Sequence, residues 1–374
     1  MNGIDPRLER HRPALVYDPQ EPYRSIAAPS ITDFPGNTLE RRDGSVLARA
    51  GQGLSLALLT RYDVKDGDRL DEAGDPLAAA RRFQGDPAYA DRVYGRVAER
   101  GDRVWLQYWL WSYYNPKHLL GLGRHEGDWE MVQVRLGAEG APEAATYSQH
   151  ENGEARDWSA LRRHEDDHPV VYVAPLSHAC YFEPGAHPYW VGVDNPDGSL
   201  PPILPRVEAF GDWHAWAGRW GASIGVLGGL LGGRSPRSPG RQGRRWDDPD
   251  AWHARARAAT PLRRGRRAIR AAGAATYPQL TALSARRVRD AVLVDWAIDP
   301  APQRRATRLL VTLHRDGEVV ASHPEPIAGT SGTVSVPLAM PLEGPIVVRA
   351  SAYNGLRQRS DPLETVAERD RPDG

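Results

Sequence analysis

Cysteine occurs once, at Cys180, so no intrachain disulfide can form and folding does not depend on an oxidising compartment. Lysine is nearly missing as well: Lys65 and Lys117 stand alone, and arginine supplies the rest of the 48 basic residues. These are cancelled by 48 acidic residues, and with a formal net charge of +0 no overall field draws the chain to nucleic acid. Long apolar runs are missing too. The most apolar, Gly221 to Gly233 (GASIGVLGGLLGG), falls short of the about 20 residues that a membrane-crossing helix needs, and its glycines make it a loop. The stretch Met1 to Pro13 carries Asp5, Arg7, Glu9, Arg10 and Arg12 around no apolar core, so it does not read as a secretory signal. The expected location is cytoplasmic, with no transmembrane segment.

What the chain has in quantity is glycine and proline, together about 18% of 374 residues against roughly 12% in average chains. That excess favours turns and short strands over long helices. Between Pro76 and Arg100 the apolar residues Ala79, Tyr89, Val93 and Val97 fall at helical spacing around Gly85, which predicts one or two short helices with Pro76 in the first turn. The run Arg103 to Tyr114 (RVWLQYWLWSYY) is apolar and aromatic on both faces, the pattern of a strand buried on both sides. Its six aromatic side chains read as sheet core. Further strands are expected over Asp128 to Leu136, Ala145 to His150 and Pro169 to Pro175.

Beyond Arg234 the composition changes. Twelve arginines against Asp247, Asp248 and Asp250 give the stretch up to Arg270 a local net of +9, which reads as a solvated surface and makes no strong case for nucleic acid. Alternation returns from Val288 to Val366, with Asp316-Gly317 as a hairpin turn. The chain is therefore expected to be mainly β with helical decorations. Residues 14–280 would form a β-sandwich-like domain ending in an Arg-rich helical tail, and residues 288–366 a small immunoglobulin- or fibronectin-like sandwich.

The chemistry concentrates in Gly123 to Glu130 (GRHEGDWE). Side chains two apart on a strand share a face, so Asp128 and Glu130 project together, and two converging carboxylates call for a cation or a shared proton. His125 precedes a turn at Gly127 that can swing its ring to the same place. Oxygen ligands with one imidazole suit Mg²⁺, Ca²⁺ or Mn²⁺. Glu126, His150 and His178 are the candidate proton-moving groups, and His118 lies just before the motif. His178, at the end of a buried strand, is expected to complete the pocket, so that His178→Ala removes function and leaves the melting temperature nearly unchanged. Asp18 and Glu21 in YDPQEPY read as turn caps.

Several stretches resemble the vacuolar protein sorting-associated protein 62 family: YDPQEPYRS, WLQYWLWSYYNP, GRHEGDWEMVQVRL, VVYVAPLSHACYFEPGAH, AWAGRWGAS and SPGRQGRRWDDPDAW. Together they run from about Ala14 to Trp252. The HEGDWE core is also similar to the signature of necrosis- and ethylene-inducing-like proteins, β-sandwich cytolysins that bind a divalent cation and a plant sphingolipid. That resemblance implies His125, Asp128 and Glu130 as cation ligands, with His118 or Asn115 in place of an upstream aspartate. Two functions follow. One is a divalent-metal-dependent hydrolase or lyase acting on a small glycan-, phosphate- or lipid-like substrate; the other is a cation-dependent glycan- or lipid-binding protein without catalysis.

Overall fold

The computed structural model describes all residues except 1–3, 20, 66, 117–124, 151, 190–191, 223–233, 273–277, 302–304, 316–317, 339–343, 355–359, 361–362 and 370–374. The chain is mainly β and divides into two compact units. The first comprises residues 1–17, 21–183 and 202–262; the second comprises 18–20, 184–201 and 263–374.

The first unit is built on a six-stranded sheet of β1 (Arg92–Arg100), β2 (Arg103–Asn115), β3 (His125–Leu136), β4 (Pro142–Gln149), β5 (Asn152–Asp157) and β6 (Arg206–Ala209). Its spatial order is β5-β4-β3-β2-β1-β6, antiparallel except where β6 runs parallel to β1. The alternation in β2 explains why the sheet is covered on both faces. Trp109, Trp111 and Tyr113 enter one apolar cluster with Leu39, Leu70 and Trp220, while Leu106, Tyr108 and Leu110 enter another with Leu15, Val171 and Cys180. Trp105, Trp109 and Trp111 are fully buried, so this aromatic wall is core and offers no ligand a stacking face.

Segments of other sheets supply the covering layers. Ala14–Val16, Arg163–His164, His168–Val173 and Cys180–Tyr181 form one small sheet. A five-stranded sheet joins Arg219–Trp220, Arg69–Asp71, Thr38–Glu40, Val46–Ala50 and Gly53–Leu54. The helix predicted from Pro76 is present over Pro76–Gln84, with Pro76 in its first turn and Asp75 capping it by accepting from the Leu77 N–H at 3.0 Å. The continuation of that helical reading is corrected: Arg92–Arg100 is a strand. Val93 and Tyr94 satisfied a helical spacing, but the turn at Gly101-Asp102 folds this segment back on β2, and pairing over its length outweighs the local pattern.

In the second unit two four-stranded sheets share one core. Val292, Val294 and Trp296 from one sheet meet Leu309, Val311, Val348 and Ala350 from the other. Arg308–Arg315 and Glu318–Pro326 pair as the expected hairpin, its Asp316 and Gly317 lying outside the described residues. No helix among the described residues is long and apolar enough to cross a membrane. The run Gly221 to Gly233 lies, from residue 223 on, outside the described residues.

Candidate functional site

The geometry starts from Gly127 in β3, whose φ of +61° is left-handed. A Cβ there would stand 2.1 Å from the Trp220 carbonyl oxygen and 2.4 Å from the Trp111 ring, so only glycine fits. The left-handed step interrupts the regular alternation of the strand and separates Glu126 from Asp128. Asp128 reaches toward His178, whereas Glu126 reaches Glu72 and Ala222 beside Trp220. Asp128 and Glu130, two apart after the glycine, remain neighbours as strand periodicity requires.

Asp128 is buried and its Oδ2 accepts two hydrogen bonds, from Asn115 Nδ2 at 2.9 Å and from His178 Nδ1 at 2.9 Å. Burial pushes its carboxyl up, but the His178 hydrogen bond and the charge of His125 outweigh it and hold the pKa below the ordinary value. Glu130 is equally buried and accepts from the Ser148 hydroxyl on β4. Its pKa is pushed up to about 7, chiefly by burial and further by the Asp128 charge, with Arg245 and Ser148 pulling the other way. Asp128 is thus ionised at neutral pH, whereas Glu130 titrates close to neutrality and keeps its proton below about pH 7.

His178 sits behind Asp128. Leu176 and His178 both adopt left-handed backbone (φ +67° and +54°), which turns the imidazole inward at the end of the His168–Val173 strand. Its Nε2 lies 3.6 Å from Glu21 Oε1, an ion-pair distance, and its side chain is 2% exposed between Glu21 at 0% and Asp128 at 11%. Burial works against the imidazolium, yet the hydrogen bond to Asp128 and the proximity of Glu21 raise the His178 pKa well above its usual value. Glu21, read from the sequence as a turn cap, does cap by accepting from the Tyr23 N–H at 2.7 Å. It also accepts from the Leu176 N–H and so clamps the loop that carries His178.

An open cavity of about 380 Å³ lies over the two carboxyls. Asn115, His125, Asp128, Glu130, His150 and Ser177 line it, together with side chains of the segment 234–245 and Arg219. His125 places Nδ1 2.6 Å from the Gly127 carbonyl, so Nδ1 donates and Nε2 is the ring's other nitrogen. His150, in left-handed backbone after β4, gives its carbonyl to Arg245. The structure therefore brings His125, Asp128, Glu130 and His150 to one cavity, with His178 held behind Asp128. His118 lies outside the described residues.

Glu126 does not line this cavity, which corrects its assignment as a proton-moving group there; the left-handed glycine sends it elsewhere. Its Oε2 accepts from the Glu72 N–H at 3.1 Å and the Ala222 N–H at 2.6 Å. Glu72 is itself buried and neither of its carboxyl oxygens is hydrogen-bonded within the described residues. Burial raises both pKa values, Glu126 to about 7 and Glu72 well above its ordinary value, and for Glu72 the charge of Glu126 adds to the rise. A carboxyl whose folded pKa is raised binds its proton more tightly than the unfolded chain does, so it favours folding at low pH and loses that contribution as pH rises. Stability is expected to fall between about pH 4.5 and 7. Denaturation of Glu126→Gln across this range checks it: the slope should shrink, on the order of 2 kcal/mol being recovered at pH 8. An unchanged slope contradicts the pairing.

A cation at Asp128 and Glu130 would share each carboxylate with protein partners: Asp128 Oδ2 is held by Asn115 and His178, and Glu130 Oε2 by Ser148. Among the described residues no three His, Cys, Asp or Glu side chains are gathered as a ligand set.

The family model of vacuolar protein sorting-associated protein 62 matches residues 116–194, a span that holds β3, β4 and the His178 loop. No curated protein matches the chain. Among solved structures, one is a toxin fold for microbial attack and plant defense, at TM-score 0.32 and 13% identity over 56% of this chain and 76% of that one. Another is necrosis and ethylene inducing protein 2 from the causal agent of cocoa's witches' broom disease, at TM-score 0.33 and 14% identity over 57% and 78%. A third is NLPPya in complex with glucosamine, at TM-score 0.30 and 13% identity over 56% and 75%. The vacuolar protein sorting-associated protein 62 resemblance thus recurs over residues 116–194.

Proposed function

We propose that the cavity over Asp128 and Glu130 binds a small glycan- or phosphate-ester-like ligand and performs acid–base hydrolysis on it. The observation that carries this reading is the unequal support of two adjacent carboxyls opening on one cavity: the His178 imidazole donates to Asp128, and the Ser148 hydroxyl donates to Glu130. Environments that drive neighbouring pKa values apart separate an acid from a base. Glu130, protonated near neutrality, would give its proton to the leaving oxygen; ionised Asp128, positioned by His178 and Asn115, would accept one from water. His125 and His150 border the same space and would orient the ligand.

The test is turnover of p-nitrophenyl glycosides and p-nitrophenyl phosphate between pH 5 and 8. Turnover should decline as pH rises through about 7, and Glu130→Gln should lower it at least about 100-fold. Absence of both turnover and saturable binding overturns the reading. A second reading, a divalent cation shared by Asp128 and Glu130 with binding but no catalysis, is favoured by their common placement beside His125. It predicts binding without turnover that chelator abolishes and Mg²⁺, Ca²⁺ or Mn²⁺ restores.

A further inference from the structure

The arginine-rich stretch after Arg234 reads from the sequence as a solvated surface, and the acid–base reading of the cavity makes no use of it. Its first part is not merely solvated. Arg234, Arg237, Arg241 and Arg245 all line the cavity over Asp128 and Glu130, and Arg219 joins them from its strand. Five arginines therefore border a space whose acidic lining is two carboxyls, Asp128 and Glu130.

The way these arginines are held matters as much as their number. Arg219 Nη1 donates to the Ser235 carbonyl at 3.0 Å, Arg241 Nε to the Ala215 carbonyl at 2.8 Å, and Arg245 Nη2 to the His150 carbonyl. A carbonyl orients a guanidinium without cancelling its charge. The short 3-10 turn Pro239–Arg241 and the buried Ser235, Ser238 and Pro239 fix the backbone between them, Ser238 accepting from Trp220 Nε1 at 2.8 Å and donating to the Trp216 carbonyl at 2.8 Å. The segment is thus a rigid, positively charged wall, and planar guanidinium forks match the oxygens of tetrahedral oxyanions.

We propose that the ligand of this cavity carries a phosphate or sulfate group, bound by Arg237, Arg241 and Arg245. This rests on the cavity being the ligand site, and it narrows the ligand from a neutral glycan to an anionic one. The arginines would hold the anion while the uncharged part of the ligand meets Asp128 and Glu130.

The experiment is calorimetric titration of the full chain with inorganic phosphate, glucose 6-phosphate and glucose, alongside flotation with vesicles containing phosphatidylinositol 4-phosphate. Glucose 6-phosphate should bind at least about 10-fold more tightly than glucose, and more weakly as salt is raised. Arg237→Ala with Arg241→Ala, both exposed and outside the core, should cost a further factor of 10 or more without lowering the melting temperature. Binding of vesicles but not glucose 6-phosphate assigns the anion to a lipid headgroup; the reverse assigns it to a soluble ester. Glucose binding as tightly as its phosphate, unaffected by the double substitution, overturns the inference while leaving the ligand site standing. Failure of every phosphate probe to bind overturns the inference as well.

Discussion

His178→Ala is expected to lower stability by about 3 kcal/mol, the cost of leaving a buried charge without its partner. The substitution deprives two carboxylates at once: Asp128 loses a 2.9 Å hydrogen bond, and Glu21, with a fully buried side chain, loses the cation 3.6 Å away. This reverses the expectation from sequence that the melting temperature would hardly move. A strand-end histidine in a loop looks like a surface-facing functional group, but left-handed residues at 176 and 178 turn it into the interior. Thermal unfolding should show a fall of roughly 4–6 °C for a chain of this size. The double variant Glu21→Gln, His178→Ala should recover part of it, since one of the stranded charges is then gone. A melting temperature unchanged within a degree would show that the buried ion triad does not form.

Gly127→Ala has the second large effect. The new methyl would need to occupy space 2.1 Å from the Trp220 carbonyl oxygen and 2.4 Å from the Trp111 ring, in a backbone region that costs a side chain about 1 kcal/mol or more even without contacts. Overpacking a core adds about 1–3 kcal/mol. The loss should come with a second signature. If β3 regains ordinary alternation, Glu126 leaves Glu72 and Ala222, and the part of the stability decline between about pH 4.5 and 7 that Glu126 supplies is lost together with their hydrogen bonds, leaving a shallower slope. Denaturation of the variant at pH 5 and pH 8 reads both. Wild-type stability with an intact pH slope would contradict the role of the glycine.

Much of this was legible from residue order, and the reasons are physical. The i, i+2 spacing of Asp128 and Glu130 is a property of any strand, so their proximity followed directly. The aromatic run of β2 was readable as core because both its faces are apolar. What failed depended on single backbone angles or on distant segments. Whether Glu126 joins Asp128 is decided by one φ at Gly127, which a pattern of two cannot express. Glu21, Glu72 and the arginines of 219–245 reach the neighbourhood only through tertiary packing: Glu21 was readable as a turn cap but not as a partner of His178, and a net of +9 between Arg234 and Arg270 was visible, but not that its first four cavity arginines share a wall with two carboxyls.

The central claim is that Glu130 keeps a proton up to about pH 7 beside an ionised Asp128. Infrared difference spectroscopy measures it directly, because a protonated carboxylic acid has a carbonyl stretch that a carboxylate lacks. In the wild-type protein a protonated-carboxyl band should disappear as pH rises through about 7. The part due to Glu130 should be absent from Glu130→Gln and retained in Asp128→Asn. A spectrum in which Glu130→Gln leaves every protonated-carboxyl band in place, while Asp128→Asn removes one, would contradict the account.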